Sequence, residues 1–142
     1  MVSGPFFTLK SIPVPVKMYR FLIADDYEFV RQRVKLLLKE EFKDVIIEEA
    51  SSTKELTDKA LGQKWDIIIS DINMPGGGGL EALSVIRKTL PQQPLILFSL
   101  YDEESFADKV LKQGATAYLQ KDKIPAELVK TIQSIIEDKD GY

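Results

Sequence analysis

Five short apolar runs, rich in β-branched residues, recur along the chain: Phe21-Leu22-Ile23-Ala24, Val45-Ile46-Ile47, Ile67-Ile68-Ile69, Leu95-Ile96-Leu97-Phe98 and Ala117-Tyr118-Leu119. Each is too short for a helix and apolar at consecutive positions, which is the pattern of a strand buried on both faces. The stretches between them change period. Phe29, Val30, Val34, Leu37 and Leu38 fall on one helical face, with Arg31, Arg33, Lys35 and Lys39 opposite. Leu80, Leu83, Ile86 and Leu90 repeat the pattern, as do Phe106, Val110 and Leu111, and then Leu128, Val129, Ile132, Ile135 and Ile136. Pro125 suits the first turn of the last helix, and Gly114 suits the end of the helix before it. Strands alternating with helices predict a parallel sheet covered on both faces. Right-handed crossovers then restrict the topology to a doubly wound α/β fold, in which ligands bind beyond the carboxyl ends of the strands.

The first residues stand apart. Pro5, Pro13 and Pro15 break any regular pattern, and Phe6, Phe7 and Val14 are apolar enough to lie on a surface. Residues 1–18 therefore read as an N-terminal extension, an extended arm or in part a cloning remnant. A domain over 19–139 and a polar tail over 140–142 follow. The whole chain of 142 residues suits one domain.

Composition narrows the chemistry. With 19 basic and 22 acidic side chains the formal charge is −3, which gives no general pull toward nucleic acid. Cysteine and histidine are both missing, which excludes disulfides, thiolate or imidazole metal sites, cysteine nucleophiles and Ser-His triads. No apolar run approaches the roughly 18 residues of a membrane span, and Met1 to Val16 lacks the layout of a secretory signal. The expected compartment is the cytoplasm, with no membrane partner.

The strand ends carry the candidate site. The first predicted strand ends in Asp25-Asp26, the third in Asp71-Ile72-Asn73, the fourth in Ser99, and Lys121 follows the fifth. A single Asp after a strand is ordinarily a helix N-cap, and a lone Lys an exposed charge. The set is different, because three clustered carboxylates repel one another unless a cation joins them. Oxygen ligands without His or Cys suit Mg²⁺, and a carboxylate beside Mg²⁺ and a lysine suits phosphoryl acceptance.

The motifs FLIADD, WDIIISDINMP with GLEAL after it, LFSL and GATAYLQKD, in this order, resemble the receiver domain of two-component response regulators over Tyr19 to Lys139. The resemblance implies a flavodoxin-like five-stranded parallel sheet, (βα)5, like that of the chemotaxis regulator. It implies that Asp71 is the phosphoacceptor, and that Asp26 and Asp25 hold Mg²⁺, directly and mainly through water respectively. Asn73 would lend its backbone carbonyl to the metal. Ser99 would hydrogen-bond the phosphoryl group, Lys121 would neutralise it, and Tyr118 would be an aromatic switch. The implied donor is a sensor histidine kinase or histidine phosphotransfer protein. A receiver is a phosphoacceptor with at most slow self-dephosphorylation rather than an enzyme in the usual sense.

Three features qualify the resemblance. Leu100 follows Ser99 where the family more often has a small residue, so it either borders access to Asp71 or packs into the adjacent helix. Gly76 to Gly79 lack the Gly-Lys-Ser/Thr of a nucleotide-binding loop and read as a flexible turn. Asp122, after Lys121, resembles receivers often fused to helix-turn-helix output domains. The tail after Ile136 has no room for such a domain, which leaves a single-domain regulator or the receiver part of a transcriptional regulator, with the last helices available for a dimer. The alternatives are a non-phosphorylated pseudo-receiver acting as a binding module, and a Mg²⁺-dependent phosphatase. Asn73 stands against the second, where a dehalogenase-type phosphatase would place another acid.

Overall fold

The computed structural model describes residues 18–100 and 104–139; the proposed arm up to residue 17 and the tail over 140–142 lie outside them. The elements are β1 (Tyr19–Ala24), α1 (Glu28–Glu41), β2 (Val45–Ala50), α2 (Thr53–Gly62), β3 (Ile67–Asp71), α3 (Gly78–Thr89), β4 (Leu95–Ser99), α4 (Glu104–Lys112), β5 (Ala117–Gln120) and α5 (Ile124–Lys139), with a 3-10 turn at Lys121–Lys123 before the last helix. The sheet is parallel throughout, in the order β2-β1-β3-β4-β5. The chain leaves β1 toward one edge and returns to its other side at β3. The switch in strand order therefore lies between β1 and β3, where Asp25, Asp26 and Asp71 end their strands.

Alternation along each strand divides the core in two. Phe21 and Ile23, Ile67 and Ile69, and Ile96 and Phe98 face α1 and α5, where they meet Val34, Leu38, Leu128 and Ile132. Leu22 and Ala24, Ile68, and Leu95 and Leu97 face the opposite layer, with Leu56, Ala82, Leu83, Ile86 and Val110. Consecutive apolar residues are thus required, since neither face of the central strands meets water.

The helical faces depart from the simple period in places. Phe29 is 70% exposed. It sits in the first turn of α1, beside the site end of the sheet, and Arg33 stacks against its ring. Leu111 is also exposed, leaving Phe106 and Val110 to anchor α4. Helix α2 has few large apolar residues and buries Thr53, Leu56 and Ala60; Ser52 caps it by accepting from the Glu55 amide at 3.2 Å.

The run Gly76–Gly79 is a defined turn, held on both sides. Gly76, Gly77 and Gly78 all have positive φ. The Gly78 amide donates to Thr53 Oγ1 at 2.7 Å, the Thr53 amide to the Pro75 carbonyl at 3.0 Å, and the Gly79 amide to the Ile72 carbonyl at 2.8 Å. A Cβ on Gly78 would stand 1.8 Å from the Ile72 carbonyl oxygen, at φ +80°. By contrast, a Cβ on Gly62, in the last turn of α2, meets nothing within 4 Å. Gly78→Ala is therefore expected to cost at least about 2 kcal/mol, whereas Gly62→Ala should gain up to about 0.5 kcal/mol by restricting the unfolded chain. Urea denaturation midpoints of the two variants, moving in opposite directions, check this.

Candidate functional site

Register assembles the site. Ala24 pairs with Ser70 and Asp71 with Phe98, so Asp25 and Asp71 follow side by side on adjacent strands, with Ser99 one residue beyond the Asp71 partner. Ser99 in turn pairs with Gln120, the residue before Lys121. The ladders run on past the strands: the Asp25 amide donates to the Ala50 carbonyl at 3.1 Å and the Ile72 amide to the Phe98 carbonyl at 2.9 Å.

Asp25, Asp26 and Asp71 bring carboxylate oxygens to within 4.8 Å of one another. Asp25 is 0% and Asp71 3% exposed, while Asp26 faces solvent. Lys121 Nζ sits 3.1 Å from Oδ2 of both Asp25 and Asp71. It makes a hydrogen bond to Asp71, whereas Asp25 Oδ2 accepts none and stays buried. The other oxygens turn to backbone: Asp25 Oδ1 accepts from the Tyr27 amide at 2.8 Å, and Asp71 Oδ1 from the Asn73 amide at 3.0 Å. Asp26 has no hydrogen-bond or ion-pair partner among the described residues. A buried carboxylate oxygen without a hydrogen bond, beside a second acid free to turn toward it, fits a divalent cation held by hard oxygen donors.

Electrostatics agree with this geometry. Burial pushes the Asp25 carboxyl above its ordinary range; the Asp71 charge pushes the same way, against the Tyr27 amide and Lys121. Burial alone would lower Lys121, but its contacts with Asp71 and Asp25 outweigh burial and raise it, so the ammonium stays charged. Its Nζ also lies 5.5 Å from the Phe98 ring centroid and 5.7 Å from that of Tyr27.

The remaining expected residues lie around this centre. Ser99 is fully buried at the end of β4. Asn73 lines a shallow cleft of about 460 Å³ together with Asp26, Ile72, Met74, Pro75 and Gly77. Tyr118 is half-buried, edge-on to Phe106 with centroids 5.8 Å apart. Leu100 is 77% exposed, so the alternative in which it packs into the adjacent helix is corrected.

Two contributors escaped the sequence reading. Tyr27 borders the lysine with its ring, although nothing in its local pattern marks it. Arg31, placed by helical period on the solvent side of α1, reaches back instead. Its Nη1 donates to the Asp25 carbonyl at 2.7 Å and its Nε to Glu49 Oε1 at 2.8 Å. Its place near the start of α1, six residues after Asp25, was the available signal.

Comparison with known proteins matches residues 21–133 to the response regulator receiver domain model. The response regulator UvrY of Escherichia coli is 32% identical over 119 residues, covering 83% of this chain and 54% of the relative. The nitrate/nitrite response regulator protein NarL of Escherichia coli is 33% identical over 111 residues, covering 78% and 51%. The chain spans about half the length of the curated relatives it matches. Among solved structures, a LuxR-family two-component response regulator from Aurantimonas sp. superposes with a TM-score of 0.79 at 28% identity, covering 86% of this chain and 87% of that one. A CheY-like receiver domain protein from Methanospirillum hungatei gives 0.77 at 25% identity, covering 89% and 100%.

The raised Asp25 carboxyl has a consequence for metal-free stability. The folded state favours the protonated acid, so the stabilisation is full below the ordinary carboxylate pKa and is lost as pH rises through the folded-state value. In chelator at neutral pH, Asp25→Asn should therefore have a higher urea midpoint than the parent, with the gain shrinking toward pH 4. A pH series of denaturation curves measures both.

Proposed function

The chain belongs to the response regulator receiver domain family, and on that footing we propose that it is a phosphorylation-dependent switch whose acceptor is Asp71. The observation that supports this most is Asp71 itself. Its carboxylate ends the central strand β3, buried between a lysine and two further acids.

Each neighbour has a task in this reading. Asp25, Asp26, Asp71 and the backbone carbonyl of Asn73 would hold Mg²⁺. When bound, the ion neutralises charge on the phosphoryl oxygens, where phosphoryl transfer most needs help. Lys121 holds a further oxygen and keeps its charge through its contacts with the acids. One Asp71 oxygen attacks phosphorus as the bond to the donor breaks, and the electron pair leaves with the donor group. The resulting acyl phosphate carries roughly −1.5 to −2 of charge, if it resembles other phosphates. Ser99, at the neighbouring strand end, turns toward the new oxygens. Tyr118, already packed on Phe106 of α4, carries that change to the face formed by the last two helices, shifting an equilibrium between two arrangements.

The donor in this proposal is a phosphohistidine on a sensor kinase or histidine phosphotransfer protein, and the setting is cytoplasmic. No helix among the described residues is long and apolar enough to cross a membrane. The likeness to UvrY, NarL and a LuxR-family regulator favours a DNA-binding output domain in a longer protein over a regulator that acts alone.

Treating the protein with acetyl phosphate and Mg²⁺ is expected to add one phosphoryl group by intact mass. Asp71→Asn should remove that addition, and undiminished labelling would overturn the assignment. Leu100, exposed beside Ser99, borders the approach to Asp71 in this reading. Leu100→Ala should speed both labelling and decay of the phosphorylated form by up to about tenfold, or about 1.4 kcal/mol of barrier, as followed by timed mass measurements.

A further inference from the structure

The two acids that begin the site are held by different means. Asp25 is buried, with its amide and one carboxylate oxygen bonded to backbone. Asp26 is exposed and has no partner of its own among the described residues. The direction in which its side chain leaves the backbone is therefore set by the peptide plane joining the two residues. The carbonyl of that plane accepts from Arg31 Nη1 at 2.7 Å. Arg31 is itself fixed, because its Nε donates to Glu49 Oε1 at 2.8 Å on β2, and Lys35 holds the other Glu49 oxygen at 3.1 Å. Its side chain is only 14% exposed.

From this we infer that Arg31 is a positioning residue for the cation site, a fork that spans Glu49 and the Asp25 carbonyl and so aims Asp26 at the bound ion. The inference rests on the Mg²⁺ reading above and deepens it. Two properties of the guanidinium matter. It offers several N–H groups in one rigid plane, so it can serve a strand carboxylate and a loop carbonyl together, which an ammonium on a flexible stem cannot do with the same geometry. Partners that orient metal ligands without touching the metal typically change affinity by about 10- to 100-fold when removed.

Simple electrostatics predicts the opposite sign, which makes the idea testable. Arg31 is a cation beside a cluster of acids. If charge were its only influence, removing it would strengthen Mg²⁺ binding and replacing it by lysine would change nothing. The fork requires that both substitutions weaken binding.

The experiment is calorimetric titration of the full chain with Mg²⁺ alone, well below its melting transition, for the parent, Arg31→Lys, Arg31→Gln and Arg33→Met. Arg31→Gln is expected to weaken binding about tenfold and Arg31→Lys by a smaller but measurable factor. Arg33→Met, which removes a cation from the same helix but bonds neither Glu49 nor Asp25, should leave affinity unchanged or slightly higher. The Asp26 amide resonance belongs to the held peptide plane, and it should shift in metal-free Arg31→Lys while the amides of β4 stay in place. A parent that binds no Mg²⁺ would overturn the metal reading itself. A parent that binds while both Arg31 variants bind as well or better would overturn the fork alone. Should Arg31→Gln fail to fold, Arg31→Lys keeps the charge and decides the question by itself.

Discussion

Asp25, Asp26 and Asp71 hold carboxylate oxygens within 4.8 Å of one another, with two of the three residues buried and the Lys121 ammonium between those two. Like charge at such range in a poorly hydrated place is costly, and only a rigid scaffold keeps it from relaxing into water. The central strands provide that scaffold. Their residues are buried on both faces, so β1 and β3 cannot twist away from each other without exposing core on each side of the sheet. In the proposed function, that stored repulsion makes the site receptive to a cation, and to a phosphoryl group whose oxygens the cation and Lys121 would share.

The loops around that centre are held by specific bonds. On the side of β1 and β3, the loops are tied down: Arg31 holds the Asp25 carbonyl, and Thr53 exchanges bonds with Pro75 and Gly78. On the side of β4 and β5 stand Ser99, an exposed Leu100, and a half-buried Tyr118 edge-on to Phe106. In the proposed function, a change in charge at Asp71 meets these fixed loops on one side and Ser99 and Tyr118 on the other. In that proposal the signal travels toward α4 and α5.

Much of this was legible in the chain. Consecutive apolar runs located all five strands, and the acids, hydroxyl and amine at their ends located the centre of the site, because parallel strands deliver their carboxyl ends to one edge. Legibility failed where one period serves two purposes. Phe29 has the spacing of a core residue, yet it lies in the first turn of α1 and is largely exposed. Arg31 has the spacing of an exposed residue, yet its long side chain folds back to the loop. The second half of β2, Glu48-Glu49-Ala50, looks too polar for a buried strand, because an edge strand is only partly covered. The Thr53–Gly78 tie joins residues far apart in sequence, and no local pattern announces it.

That edge strand has a bearing on how the molecule behaves in company. Among the described residues β2 is an edge strand, of the kind on which sheets of separate molecules can join. Its two acids point to opposite faces: Glu49 meets Arg31 and Lys35 from α1, while Glu48 meets Lys59 from α2 and Arg20. A foreign strand aligning there would have to strip water from charged groups above and below it at once. The same ion pairs that steady the helices thereby discourage the addition of a foreign strand at this edge.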